Sequence, residues 1–122
     1  MSEDGTERPE VVCLCGSTRF KDEYLSEQER LTMEGKIFLT VGMFGHSDDV
    51  ELSTDEKAML DELHKRKIDL ADRVHVIDVD GYIGDSTRSE IAYAERHGIP
   101  VTYYSARSLH AGTLHEDQEE SV

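Results

Sequence analysis

Apolar and polar residues alternate along this chain in two rhythms. Val11-Val12-Cys13-Leu14-Cys15 is a short unbroken apolar run, the pattern of a parallel strand buried on both faces. Gly16-Ser17-Thr18-Arg19 follows as a turn. Phe20, Tyr24, Gln28 and Leu31 then mark one face of a helix reaching about Glu34, and Gly35 is its natural stop. Lys36 to Val41 reads as a second strand. Residues 42–52 form a long loop that carries Met43, Phe44, His46, Asp48 and Asp49. Ser53 and Glu56 have capping-box spacing. The helix they open shows Met59, Leu60, Leu63, Ile68 and Ala71 at helical spacing. Arg73 to Asp78 is the third strand, Thr87 to His97 the third helix, and Ile99 to Tyr104 the fourth strand.

Strand and helix alternate without interruption. This pattern predicts an α/β fold: one domain over residues 10–104, with a parallel sheet and helices on both faces. Right-handed crossovers restrict the strand order. The expected architecture is a flavodoxin-like (Rossmann-type) three-layer sandwich of order 2-1-3-4. In such sheets a ligand sits beyond the carboxyl ends of the strands, where the order reverses between strands 1 and 3. That geometry brings together two segments distant in sequence, Gly16–Arg19 and the stretch Gly81-Tyr82-Ile83-Gly84-Asp85-Ser86-Thr87-Arg88-Ser89-Glu90.

Charge changes the picture of partners. The chain of 122 residues carries a net charge of −14. The first ten residues hold four acids and one base, as do residues 105–122, so the body between keeps −8. An acidic body argues against nucleic acid and anionic membrane, which need clustered Lys and Arg. No apolar run approaches the roughly 20 residues of a membrane span. Residues 1–9 read as a flexible polar arm without signal-peptide character and residues 105–122 as an acidic tail, so the expected location is cytoplasmic. Cys13 and Cys15 share one strand face, where a mutual disulfide is strained; they read as reduced, half-buried core thiols. A metal site needs two or more further Cys or His at ligand spacing, and no such pattern is visible, so no metal and no cofactor are expected.

The two converging loops carry the candidate chemistry. Gly16, Ser17, Thr18 and Arg19 offer backbone donors, hydroxyls and a guanidinium fork to a phosphate or sugar, although the same residues also make an ordinary turn with a helix cap. Gly84 and Asp85 lead into Ser86 and Thr87, which open a helix whose free N–H groups favour an anion. Glu90 admits two readings. It is either a carboxylate aimed at a sugar C1 or the capping-box partner of Thr87. His46, His64 and Lys67 are acid–base or binding candidates that also suit a charged surface. Asp78 at the end of strand 3 suits ribose hydroxyls, or else initiates a turn. Asp69 and Asp72 face the opposite end of the sheet and read as structural.

These pieces resemble the nucleoside 2-deoxyribosyltransferase-like superfamily. The resemblance rests on Leu14 to Arg19, Leu70-Ala71-Asp72-Arg73-Val74, Gly84 to Glu90 and Gly98-Ile99-Pro100-Val101, and spans about residues 11–104. It is nearest in style to small members that hydrolyse nucleoside 5′-monophosphates. It implies that Glu90 attacks or stabilises C1′ while the base leaves, and that the Gly16–Arg19 turn and the Ser86-Thr87 helix start hold the 5′ end of the nucleotide. It also implies homo-oligomers, with Met43, Phe44, Tyr103 and Tyr104 as apolar contact area. Two departures stand out. Cys13 occupies the place of a Tyr that some family hydrolases carry on strand 1. The place of their Asp in the helix before strand 3 falls near His64. The loop from Gly81 to Glu90 is also slightly longer than in the hydrolases.

Two functions therefore compete. One is a nucleotide N-glycosidase or deoxyribosyltransferase cleaving the base–sugar bond of a (deoxy)nucleoside 5′-monophosphate. The other is a non-catalytic nucleotide- or nucleotide-sugar-binding module, which the two departures favour. A weaker third reading is an interaction protein whose acidic tail docks a basic partner.

Overall fold

The computed structural model describes residues 8–45 and 48–106. Four parallel strands form one sheet of order β2-β1-β3-β4: β1 (Val11–Gly16), β2 (Ile37–Leu39), β3 (Arg73–Ile77) and β4 (Val101–Tyr103). Three helices, α1 (Lys21–Met33), α2 (Thr54–Asp69) and α3 (Asp85–Arg96), connect them. The architecture is the expected flavodoxin- or Rossmann-like one. Both outer strands are shorter than their apolar runs suggested. No helix among the described residues is long and apolar enough to cross a membrane.

β1 is apolar throughout because both of its faces are covered. Val12 and Leu14 pack with Tyr24 and Leu31 of α1 and with Ile77 of β3. Cys13 and Cys15 pack on the other face with Ile68 of α2, Ala94 of α3, and Val74 and Val76. Cys13 and Cys15 are therefore fully buried and free, not half-buried. Fully burying a side chain of Val or Leu size contributes about 1.5–3 kcal/mol, so this strand dominates the core.

The face of α1 turned to the sheet differs from its apolar periodicity. Tyr24, Glu27 and Leu31 are the buried positions, with Glu27 in place of the expected Gln28. Glu27 is only 1% exposed. Arg30 Nη2 donates to it at 2.8 Å. His75 Nε2 lies 3.1 Å from the same oxygen without hydrogen-bond alignment, while His75 Nδ1 meets Thr102 Oγ1 at 2.7 Å. A carboxylate this deep is tolerated because charged and polar partners surround it.

The amino-terminal end of the sheet is tied by Asp72, as its structural reading anticipated. Its carboxylate accepts from the Val11 amide at 2.8 Å and from Arg8 at 2.7 and 2.9 Å. Phe44 and Tyr103 are partly buried and pack against the core.

At the opposite end Gly16 pairs with Ile77. Gly16 has φ +150°, and a Cβ there would stand 2.7 Å from the Ile77 carbonyl oxygen. Strain and overlap act together, so Gly16→Ala is expected to destabilise the fold by about 2 kcal/mol or more; urea unfolding measures this, and an unchanged midpoint contradicts the packing described. A second prediction concerns pH. The hydrogen bonds from Arg8 and from the Val11 amide hold the Asp72 carboxyl below its ordinary value. Their stabilisation is present above the unfolded carboxylate range near 4 and is lost as pH falls through the lowered folded value. Asp72→Asn should therefore melt slightly below wild type at neutral pH and with it in strong acid, the small gap reflecting the exposure of the pair.

Candidate functional site

The Gly16–Ile77 pairing sends two chain segments out of the sheet side by side. After β1 the turn is fixed by the Tyr24 hydroxyl, which donates to the Gly16 carbonyl at 2.8 Å. Ser17 Oγ accepts from the Arg19 amide at 3.3 Å and from Arg19 Nε at 3.1 Å. The Arg19 guanidinium then crosses to the second segment. It stacks 4.3 Å from the centre of the Tyr82 ring, and Nη2 lies 3.3 Å from the Tyr82 hydroxyl. Stacking leaves much of the planar fork free for a ligand.

α3 begins earlier than its sequence suggested. Its N-cap is Gly84, in extended conformation and without a side-chain capping bond. Ser86 and Thr87 are inside the first turn, so their amides, with that of Asp85, lack intrahelical acceptors. The Asp85 side chain stands fully in solvent; it complements the helix dipole and leaves its backbone amide as its contribution to the pocket. Lys57 of α2 donates to Ser86 Oγ at 3.3 Å. The early start also removes one reading of Glu90. The expected capping box with Thr87 does not form, because Thr87 is not the cap. Glu90 lies in the second turn, 7% exposed.

A cavity of about 480 Å³ opens between these elements, the size of a small-molecule site. One wall is polar: Gly16 to Arg19, Gly84 to Thr87, and Lys57. The apolar lining comes from Val41, Met43, Val50, Leu52 and Leu60. Met43, Gly45, Val50 and Leu52 of the long loop thus line the pocket. Glu90, Asp61 and His64 bring titratable groups to it.

Below the cavity β1 meets α2. His64 Nε2 is 2.9 Å from the Leu14 carbonyl oxygen, 3.4 Å from Cys15 Sγ and 3.7 Å from Cys13 Sγ. β2 stops pairing with β1 at Cys13–Leu39, and His64 reaches the strand just past that point. A carbonyl only accepts, so this arrangement puts a proton on Nε2. Burial disfavours the charged ring, but the Cys13 hydrogen bond and the Cys13 and Glu90 charges outweigh it and raise the His64 pKa. Hydrogen bonding from Cys15 draws the Cys13 thiol down to about 6 against the effect of burial, and the same pairing pushes Cys15 up. Burial raises Glu90, while the His64 charge and the Cys15 thiol favour its ionised form.

Several expected site residues lie elsewhere. Asp78 does not line the cavity. Its carboxylate accepts from the Ser105 amide at 2.8 Å and from Ser105 Oγ at 2.7 Å, fixing the chain beyond β4 instead of meeting a ribose. Lys67 donates to the Thr40 carbonyl at 2.7 Å and joins α2 to the end of β2. His64 is no surface residue, being 6% exposed. His46 and the tail from residue 107 lie outside the described residues. Conversely, sequence reasoning assigned no role to Lys57, Asp61 or Tyr82. Lys57, Asp61 and His64 are spaced by four and three residues, one stripe of α2, and this spacing was the available signal. Asp61 lies one turn before His64 on α2.

Comparison of the chain with protein-family models, with curated proteins and with solved structures gave no match.

Proposed function

We propose that the protein is an N-glycosidase or deoxyribosyltransferase acting on a (deoxy)nucleoside 5′-monophosphate. The observation that carries this reading is the place of Glu90. It is a buried carboxylate lining a cavity that has both polar and apolar residues, and it does not cap its own helix.

The two kinds of lining match the two ends of a nucleotide. The phosphate suits the uncapped amides of α3 together with Arg19 and Lys57, where helix dipole and cations act jointly. The base suits the apolar lining of Met43, Val50, Leu52 and Leu60. The sugar then lies between, with C1′ towards Glu90. In the first step a Glu90 oxygen attacks C1′ as the C1′–N bond breaks, and its electron pair leaves with the base. Asp61 is the carboxyl group placed to pass a proton to the departing nitrogen. In the second step water, or a second base, attacks C1′ and releases Glu90, and Asp61 takes up the proton.

Base release from ribo- and deoxynucleosides and their 5′-monophosphates, followed by chromatography, tests the proposal. At least one 5′-monophosphate should lose its base. Glu90→Gln should lower that turnover by on the order of 10³-fold or more while nucleotide affinity stays close to wild type. Asp61→Asn should lower it by roughly 10²-fold. Arg19→Ala should act mainly on KM, by about tenfold, as befits the loss of a charged hydrogen bond. Wild-type turnover in Glu90→Gln defeats the mechanism; saturable nucleotide binding without any release moves the protein to the binding-module reading.

A further inference from the structure

We propose that Cys13, Cys15 and His64 bind a zinc-class divalent cation. The sequence offered two cysteines at i, i+2 and no third ligand. The fold supplies it, because α2 lays His64 across the face of β1 that carries both thiols. The two sulfurs and the imidazole nitrogen all lie within 4.8 Å of one another.

The spacing fits the ion. Zinc holds sulfur at about 2.3 Å and imidazole nitrogen at about 2.0–2.1 Å, so in a tetrahedral site the S···N edge is about 3.5–3.6 Å. The two edges here are 3.4 and 3.7 Å. Two thiols and an imidazole select a borderline-soft ion over magnesium or calcium, which prefer oxygen. The ligands stand on a central strand and a helix, so they are held in place before the ion arrives. Since His64 lines the cavity, the ion has a path from solvent.

The exchange balances in protons. Both thiols release theirs to solvent. The neutral imidazole binds through Nε2, so its proton moves from Nε2 to Nδ1 by exchange with solvent and the hydrogen bond to the Leu14 carbonyl is given up.

The test uses the full chain, reduced and stripped with chelator, titrated first with cobalt(II) and then with zinc. The expected result is one equivalent of cobalt bound, with thiolate-to-cobalt charge-transfer absorption and the strong visible bands of tetrahedral geometry, all removed by one equivalent of zinc. Cys15→Ser should weaken binding by on the order of a hundredfold. Wild-type protein without a charge-transfer band overturns the site, whether or not the cysteine variant folds. An unchanged spectrum in Cys15→Ser overturns it equally. None of these readings depends on nucleotide turnover.

Discussion

The parallel pairing of β1 with β3 is the constraint on which the rest of this molecule depends. Its register ends at Gly16 opposite Ile77, with no room for a side chain between the strands. Both chains leave the sheet at the same level, so the Gly16–Arg19 turn and the segment from Asp78 to Glu90 become neighbours. The Arg19–Tyr82 stack joins them directly. The crevice, its phosphate-suited wall and the position of Glu90 follow from that single register. This is the rule for open α/β sheets, which bind ligands where the strand order reverses.

A second constraint shapes the floor of the crevice. β2 is short, and the carbonyl of Leu14 meets an imidazole, not a backbone amide. That choice places a titratable ring beside two thiols and near a carboxylate in surroundings that water scarcely reaches. Buried ionisable groups persist only where each stabilises the charge of another. Such coupled clusters are concentrated at functional sites. The same group of side chains therefore underlies both the role proposed for Glu90 and the cation site.

Much of this was legible in the sequence, for identifiable reasons. The unbroken apolar run of β1 signalled a strand covered on both faces, and strict alternation of elements left few strand orders. Convergence of the two glycine-containing turns followed from that order alone. Residues whose roles depend on which way a helix faces were not legible. Glu27 and His75 look like surface positions until their partners across α1, β3 and β4 are seen. Asp61 and Lys57 are two among many charged residues of α2, and only the rotation of that helix directs them into the cavity. Asp78 was misplaced because a carboxylate at a strand end can face the crevice or the chain beyond β4. The start of α3 was set two residues late, because an extended Gly84 with free amides carries no side-chain capping signal.

The most direct measurement is a titration of isotope-labelled protein with a set of nucleoside 5′-monophosphates and with the matching nucleosides, observed through backbone amide resonances. The account predicts that the amides of Ser17, Arg19, Ser86 and Thr87 shift together and saturably with a 5′-monophosphate, and respond less to the nucleoside that lacks the phosphate. Shifts confined to one of the two loops, or no response at either to any nucleotide, would contradict a single site built by their convergence.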